Sequence, residues 1–546
     1  MLCRIALLLA CALLALVPAE AVKSGDEVFA ATNKTGNFYI FADGAIHVID
    51  PVALTVVKNI TKDQDGNPLV AVSPDAASGS VANKSRTWND VVYTQDPARS
   101  LYYLFVNEGD TYTDASGNPF SYITVIDTLK QQIIARLKAD ARLVHMYAVQ
   151  QTKEVWAHSD YAGTFTVVSL DQADKLDTVV PKFVTRPGHG KLLVDDALYP
   201  VAYSSNVAEA YIGKFNLTSR KRVGAFAYNS SNAAAPTSAQ CAGTHSLVYS
   251  SVNSHAYFEC VGGTGMLEWN TLKDEVVAFH TNVTGYLSAT PGNDQILATD
   301  GTSSRVNIIT PAKNGVASKV SASISVPGQP ARAPIYYSNS SSATPGPATD
   351  YLMFFPLYRD TNINNIAAAK KAGGDVLDST YLTKPIDCQY SPAVSAASVD
   401  NPSAGLKLAT ASDGTVLSSG CGSCAAGVSP RDASQWNASL SGFGLTSFTQ
   451  VADAAKKGSI AVTKLIPAGS TATVPNAAAT ANACSYSSEG NRDADRGGPY
   501  IATIADFPQP SIYIVDATAT GGPAVAGFVK TNLNPRKTVW VPYHSS

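Results

Sequence analysis

An all-β chain, a seven-bladed β-propeller with eight blades as the alternative, follows from three features of the sequence. Seven short apolar runs each end in a turn residue: Ile46–Asp50, Ile123–Asp127, Phe165–Ser169, Ile212–Asn216, Met266–Asn270, Val306–Thr310 and Ile512–Asp516. Period-2 alternation closed by turn chemistry reads as a strand. Most of these runs recur at roughly 40–50 residues, the period of a four-stranded propeller blade. Several are preceded by another β-rich run, and helical patterns are few.

The chain starts with a targeting segment. Arg4 supplies a positive start, Ile5 to Val17 an apolar stretch too short to span a bilayer, and Ala19-Glu20-Ala21 a small-x-small cleavage site. A lipoprotein site at Leu8-Leu9-Ala10-Cys11 is the competing reading, but it would leave Ala12 to Val17 on the mature chain. The expected organisation is a signal peptide over 1–21, a propeller over 22–358 and 506–546, and an insertion over 359–505 within the last blade. No later stretch is long and apolar enough for a membrane span.

If the seven runs are third strands, the second strands read Asn37–Phe41, Leu101–Val106, Glu154–His158, Pro200–Ser204, His255–Cys260, Gln295–Ala298 and Tyr351–Tyr358. First strands lie about ten residues earlier, at Asp90–Thr94, His145–Val149, His189–Val194, His245–Tyr249, Tyr286–Ala289 and Ile335–Ser338. Blade 1 has no room for its own first strand, and Lys537–Val541 from the other chain end can supply it. That would remove open sheet edges. The interval 359–505 is rich in Ala, Ser, Gly and Thr, and a short helix is expected over Ser447 to Lys457, capped by Ser447 and ended by Gly458.

Charge is balanced, with 40 Lys and Arg against 43 Asp and Glu and a formal net charge of −3. The absence of a basic stripe argues against nucleic acid as a partner. Of the 8 cysteines, Cys3 and Cys11 fall in the leader. Cys241, Cys260, Cys388, Cys421, Cys424 and Cys484 remain, an even set that suggests disulfides in an exported chain. Cys241 and Cys260 flank a hairpin and approach the same edge. Cys421-Gly422-Ser423-Cys424, with Cys388 and Cys484, reads as disulfides before zinc or redox chemistry. Sequons fall at Asn33, Asn59, Asn83, Asn216, Asn229, Asn282, Asn339 and Asn437, so a secreted, N-glycosylated protein is expected.

Aligning the blades brings out His145, His189 and His245, each at the start of a first strand in successive blades. That slot faces the mouth of the central channel. Asp90 occupies it in blade 2, His158 and Asp160 follow the second strand of blade 3, and His280 is a more distant candidate. Three converging imidazoles suit Zn, Cu or Fe, and Asp90 or Asp160 could ligate or orient a ring. The same residues also admit a small-ligand or anion pocket, or caps that only bond neighbouring backbone. His47 and His544 read as structural. Asp63-Gln64-Asp65-Gly66-Asn67 and Asp114-Ala115-Ser116-Gly117-Asn118 resemble calcium-loop fragments but lack the spaced carboxylates of an EF-hand, and turn chemistry explains them as well. There is no phosphate-binding Gly loop, HExxH pair or nucleophile elbow.

The strand pair His245 to Cys260, the Val-Ile-Asp endings at Asp50 and Asp127 and the Ile-Val-Asp ending at Asp516 resemble YVTN-type propellers. They are also similar to the propeller domain of nitrous oxide reductase and the haem d1 domain of cytochrome cd1 nitrite reductase. The resemblance covers about residues 35–358 and 510–543 and implies architecture more than activity. In the nitrous oxide reductase domain, histidines from several blades gather on the axis. His145, His189 and His245 are the residues that match that idea. The functional expectation is a secreted propeller that binds a ligand, a metal or a protein partner at its His-lined face. The alternatives are a metal-dependent (Cu, Fe or Zn) extracellular oxidoreductase, and a matrix or cell-surface component assembled through 359–505.

Overall fold

The computed structural model describes residues 36–325, apart from 43, 72–83, 86–87, 109–110, 174–177, 182–187, 230–231, 262–263, 291–292, 301–304 and 314–315. Beyond these it describes 335–338, 351–356, 409–410, 416–417, 445–450, 462–464, 492–494, 499–505, 511–516, 524–530 and 535–543. The signal peptide, Cys388, Cys421, Cys424, Cys484, His544 and the sequons at Asn33, Asn83, Asn339 and Asn437 lie outside the described residues. No helix among the described residues is long and apolar enough to cross a membrane.

The chain is a β-propeller of antiparallel sheets, and eight sheets of four or five strands occur among the described residues. Seven follow chain order from a first strand outward. Their first strands are Trp88–Asp96, Leu143–Val149, Leu192–Leu193, Thr244–Ser250, Tyr286–Ala289, Ile335–Ser338 and Arg492–Ala494, for the second to the eighth sheet. The first sheet joins the chain ends. Gly36–Ala42 pairs with Pro535–Pro542, and Phe38 stands opposite Trp540. First strands of neighbouring sheets touch, as they do around a propeller axis.

The eighth sheet explains the broken period. Tyr351–Pro356 pairs with Leu445–Gln450, while Ser511–Asp516 pairs with Tyr500–Ala505 in a sheet of its own. Strands from the interval 359–505 therefore complete two sheets. Ser447 lies inside the strand Leu445–Gln450 and does not cap a helix. Thr446, Phe448 and Thr449 favour strand, and the edge of Tyr351–Pro356 gives the segment a partner, while 451–457 of the expected helix lie outside the described residues.

At three of the third strands the closing Asp or Asn has a definite job. Asp50 Oδ1 accepts the backbone N–H groups of Val52 and Ala53, at 2.9 and 3.0 Å. Asp127 does the same for Leu129 and Lys130, and Asn270 for Leu272 and Lys273. Each closes a tight turn into the fourth strand through a left-handed residue: Leu54, Gln131 and Asp274. The third and fourth strands then slip register at Val48/Ile49, Ile133/Ala135, Lys214/Phe215, Glu268/Trp269, Ile308/Ile309 and Ile514/Val515. Bulges of this kind add the twist that a blade needs. The core lies between sheets, where buried Phe105, Val125 and Leu137 of the second sheet meet Met146, Val155 and Val168 of the third.

Candidate metal centre

Several first strands break register near their starts. In the second sheet Trp88 faces Glu108 but Asp90 faces Asn107, so one residue is extra at Asn89. In the third, Leu143 faces Ser159 and His145 faces His158. In the fifth, the register shifts between Thr244 and Leu247, across His245. A bulge re-aims the side chains beside it. His189 precedes the strand Leu192–Leu193 and is fixed through its carbonyl, which accepts the Val207 N–H at 2.8 Å. A side chain on the preceding residue, Gly188, would press on Asn206 Oδ1 and Ala208 Cβ, at 2.7 and 2.8 Å.

Bonds between sheets hold these strands together. Met146 N–H donates to Asp90 Oδ2 and Asn89 Nδ2 to the Leu143 carbonyl, at 3.0 and 2.9 Å. Ser205 Oγ donates to the His245 carbonyl at 2.5 Å. The Cys241–Cys260 disulfide, with Cα atoms 4.9 Å apart, ties the approach to Thr244 and His245 to the end of the neighbouring strand.

The structure brings His145, His189 and His245 together, with one ring nitrogen of each within 4.8 Å of the others. His189 Nε2 lies 2.9 Å from His245 Nε2, and the His145 and His189 ring centroids are 5.2 Å apart. Each ring has a carboxylate at Nδ1. Asp160 Oδ2 lies 2.9 Å from His189, Glu259 Oε2 3.4 Å from His245, and Asp90 Oδ2 3.6 Å from His145. The Nε2 of His145 is buried without a hydrogen-bond partner among the described residues. The His189 side chain keeps 31% of its surface exposed, so the cluster opens to solvent at that ring.

Asp90 and Asp160 thus sit behind the rings, not beside them. His158 is fully buried one layer further back, with its Nε2 3.4 Å from Asp160 Oδ1, so Asp160 faces two imidazoles at once. His280 is not part of this centre. It lies 2.7 Å from Glu268 Oε2, and His255 lies 2.7 Å from Glu268 Oε1. Its strand, Glu275–Thr281, is the outer one of the sheet. His47 bonds Asn59 Oδ1 in the first sheet. The two loops that resemble calcium fragments are matching turns. Asp63 Oδ1 accepts the N–H groups of Asp65 and Asn67, and Asp114 Oδ1 those of Ser116 and Asn118.

Burial pushes His145 well below the ordinary imidazole range, opposed by Asp90 and assisted by the charge of Lys191. Burial likewise brings His245 down to about 4, with Glu259 opposing. Both rings are therefore neutral near pH 7, the form that ligates a metal. Burial raises Asp90, but the His145 contact, the Lys537 charge and the Met146 N–H together hold it below its usual range.

Three residues of this neighbourhood escape sequence reasoning: Glu259, Lys191 and Tyr286. Tyr286 lies edge-on to His245 at 5.8 Å, and Lys191 Nζ sits 4.4 Å from the Tyr286 ring centroid. Tyr286 occupies in the sixth sheet the slot that His245 fills in the fifth, and the blade alignment contains that signal.

No family model and no curated protein matches the chain. Among solved structures it is similar to apo AztD from Citrobacter koseri, at 12% identity over 93% of this chain and 98% of that one, with a TM-score of 0.45. A putative 6-phosphogluconolactonase from Bacteroides fragilis overlaps 61% of this chain and 90% of its own, at 12% identity and a TM-score of 0.37. The Cps50 (Swd1) β-propeller domain of Myceliophthora thermophila overlaps 50% and 81%, at 10% identity and a TM-score of 0.36. Likeness this distant carries no statement about this chain's chemistry.

Proposed function

We propose that the protein is a secreted, glycosylated propeller whose channel mouth holds one divalent transition-metal ion on His145, His189 and His245. One observation carries the reading: each of the three rings has a carboxylate at Nδ1 while a ring nitrogen of each gathers at one point. A carboxylate at Nδ1 fixes the tautomer and makes the other nitrogen a better donor, the usual support of a metal-bound histidine. Metal–nitrogen bonds of about 2.0–2.1 Å at tetrahedral angles put ligand nitrogens about 3.3–3.4 Å apart. The His189–His245 pair, at 2.9 Å, needs to open by only about 0.4 Å. Neutral imidazole suits Zn, Cu and Fe, and Cu2+ and Zn2+ stand above Fe2+ in affinity for such a set.

Secretion rests on the leader over 1–21, and glycosylation on the sequons. Among the described sequons Asn59 and Asn282 are exposed, and Asn216 and Asn229 half-buried. The resemblance to YVTN-type propellers supports the architecture and leaves the chemistry to the three histidines. Elemental analysis of natively purified protein tests the metal. One Cu or Zn per chain, lost in His189→Ala, is expected. A chain that stays metal-free after incubation with both ions overturns the reading. Endoglycosidase treatment should lower the mass of secreted protein, and its N-terminus should begin near residue 22.

A further inference from the structure

On a tetrahedral ion three histidines would leave one coordination position to a further ligand, and the neighbourhood describes what fits there. Tyr286 is 7% exposed, and its hydroxyl is buried without a hydrogen-bond partner among the described residues. Its ring packs edge-on against His245, at 5.8 Å between centroids. The Lys191 ammonium lies 4.4 Å from the centre of the same ring. A buried hydroxyl with no partner is costly, and a ligand oxygen would remove that cost. Asp90, Asp160 and Glu259 do not answer it, since each faces a histidine Nδ1.

We infer that the metal centre takes a small carboxylate as its exogenous ligand, with Tyr286 donating a hydrogen bond to it and Lys191 balancing its charge. The inference rests on the metal reading above. The chemistry points to the class: the ligand must offer an oxygen to the metal, accept a hydrogen bond from a phenol, and carry negative charge beside an ammonium. Imidazole ligands bring no charge of their own, so an anion at the open position also lowers the net charge of a divalent centre.

Cobalt(II)-loaded protein titrated with acetate tests this. The visible ligand-field bands should shift and saturate as acetate binds. Tyr286→Phe keeps the ring against His245 and should weaken acetate about tenfold while leaving cobalt affinity unchanged. Lys191→Gln should weaken acetate as well. Cobalt bands that ignore acetate, or a Tyr286→Phe protein that binds acetate as tightly as the parent, overturn the inference and leave the metal reading standing. A chain that takes up no cobalt removes both, and that outcome is visible before acetate is added.

Discussion

Asp160→Asn is the sharpest probe of the centre. The carboxylate faces His189 Nδ1 at 2.9 Å through one oxygen and His158 Nε2 at 3.4 Å through the other. The substitution keeps the shape and removes the charge. A hydrogen bond to a charged group is worth about 1.5–3 kcal/mol and a neutral one about 0.5–1.5 kcal/mol, so roughly 1–1.5 kcal/mol of support for the metal-ready tautomer is lost. That loss should weaken zinc about 10- to 100-fold, as loss of a carboxylate behind a ligating histidine does. Glu259→Gln, at the longer 3.4 Å contact, should cost less than Asp160→Asn. The assay is a chelator-competition titration of zinc at neutral pH, with His189→Ala as the reference for a lost ligand. If Asp160→Asn binds zinc as tightly as the parent while His189→Ala does not bind, the carboxylates are not supports and the reasoning fails.

Three further outcomes are expected from the same structure. Gly36→Ala would put a methyl group into the Val541 carbonyl and the Trp540 indole where the chain ends pair, so its melting temperature should fall, and an unchanged midpoint would count against that pairing. Replacing both Cys241 and Cys260 by Ser opens a loop spanning 19 residues and should destabilise by about 3 kcal/mol, read by denaturant unfolding. Metal-free protein should lose stability to acid in two windows. His245 is held at about 4 against an ordinary 6.5, so the unfolded chain takes up its proton first and stability falls as pH drops from 6.5 to 4. Although burial opposes it, Glu268 is held at about 2 against 4.5 by contacts that include His255 and His280, so a second loss follows from pH 4.5 downward. A flat melting temperature across pH 6.5 to 4 would contradict the first window.

What was legible in the sequence was mostly local or periodic. The Asp and Asn endings are visible because a side chain that accepts N–H groups two and three residues on leaves its mark within five residues. The three histidines are visible because propeller slots repeat along the chain. Glu259 is different: it meets His245 only because the fifth sheet slips register across that residue, and no pattern announces a bulge. Lys191 and Tyr286 meet across two sheets. His280 was misplaced for the opposite reason, since Glu268 captures it on an outer strand. Ser447 reads locally as a helix cap, but pairing with Tyr351–Pro356 makes it strand.

The separation of His189 from His245 by 56 residues has a consequence for assembly. No single blade holds all three histidines, so a partly folded or truncated chain would lack the proposed metal site. Ion uptake would then act as an inspection step, in which only a chain with its third, fourth and fifth blades correctly docked gains the added stability of the loaded state.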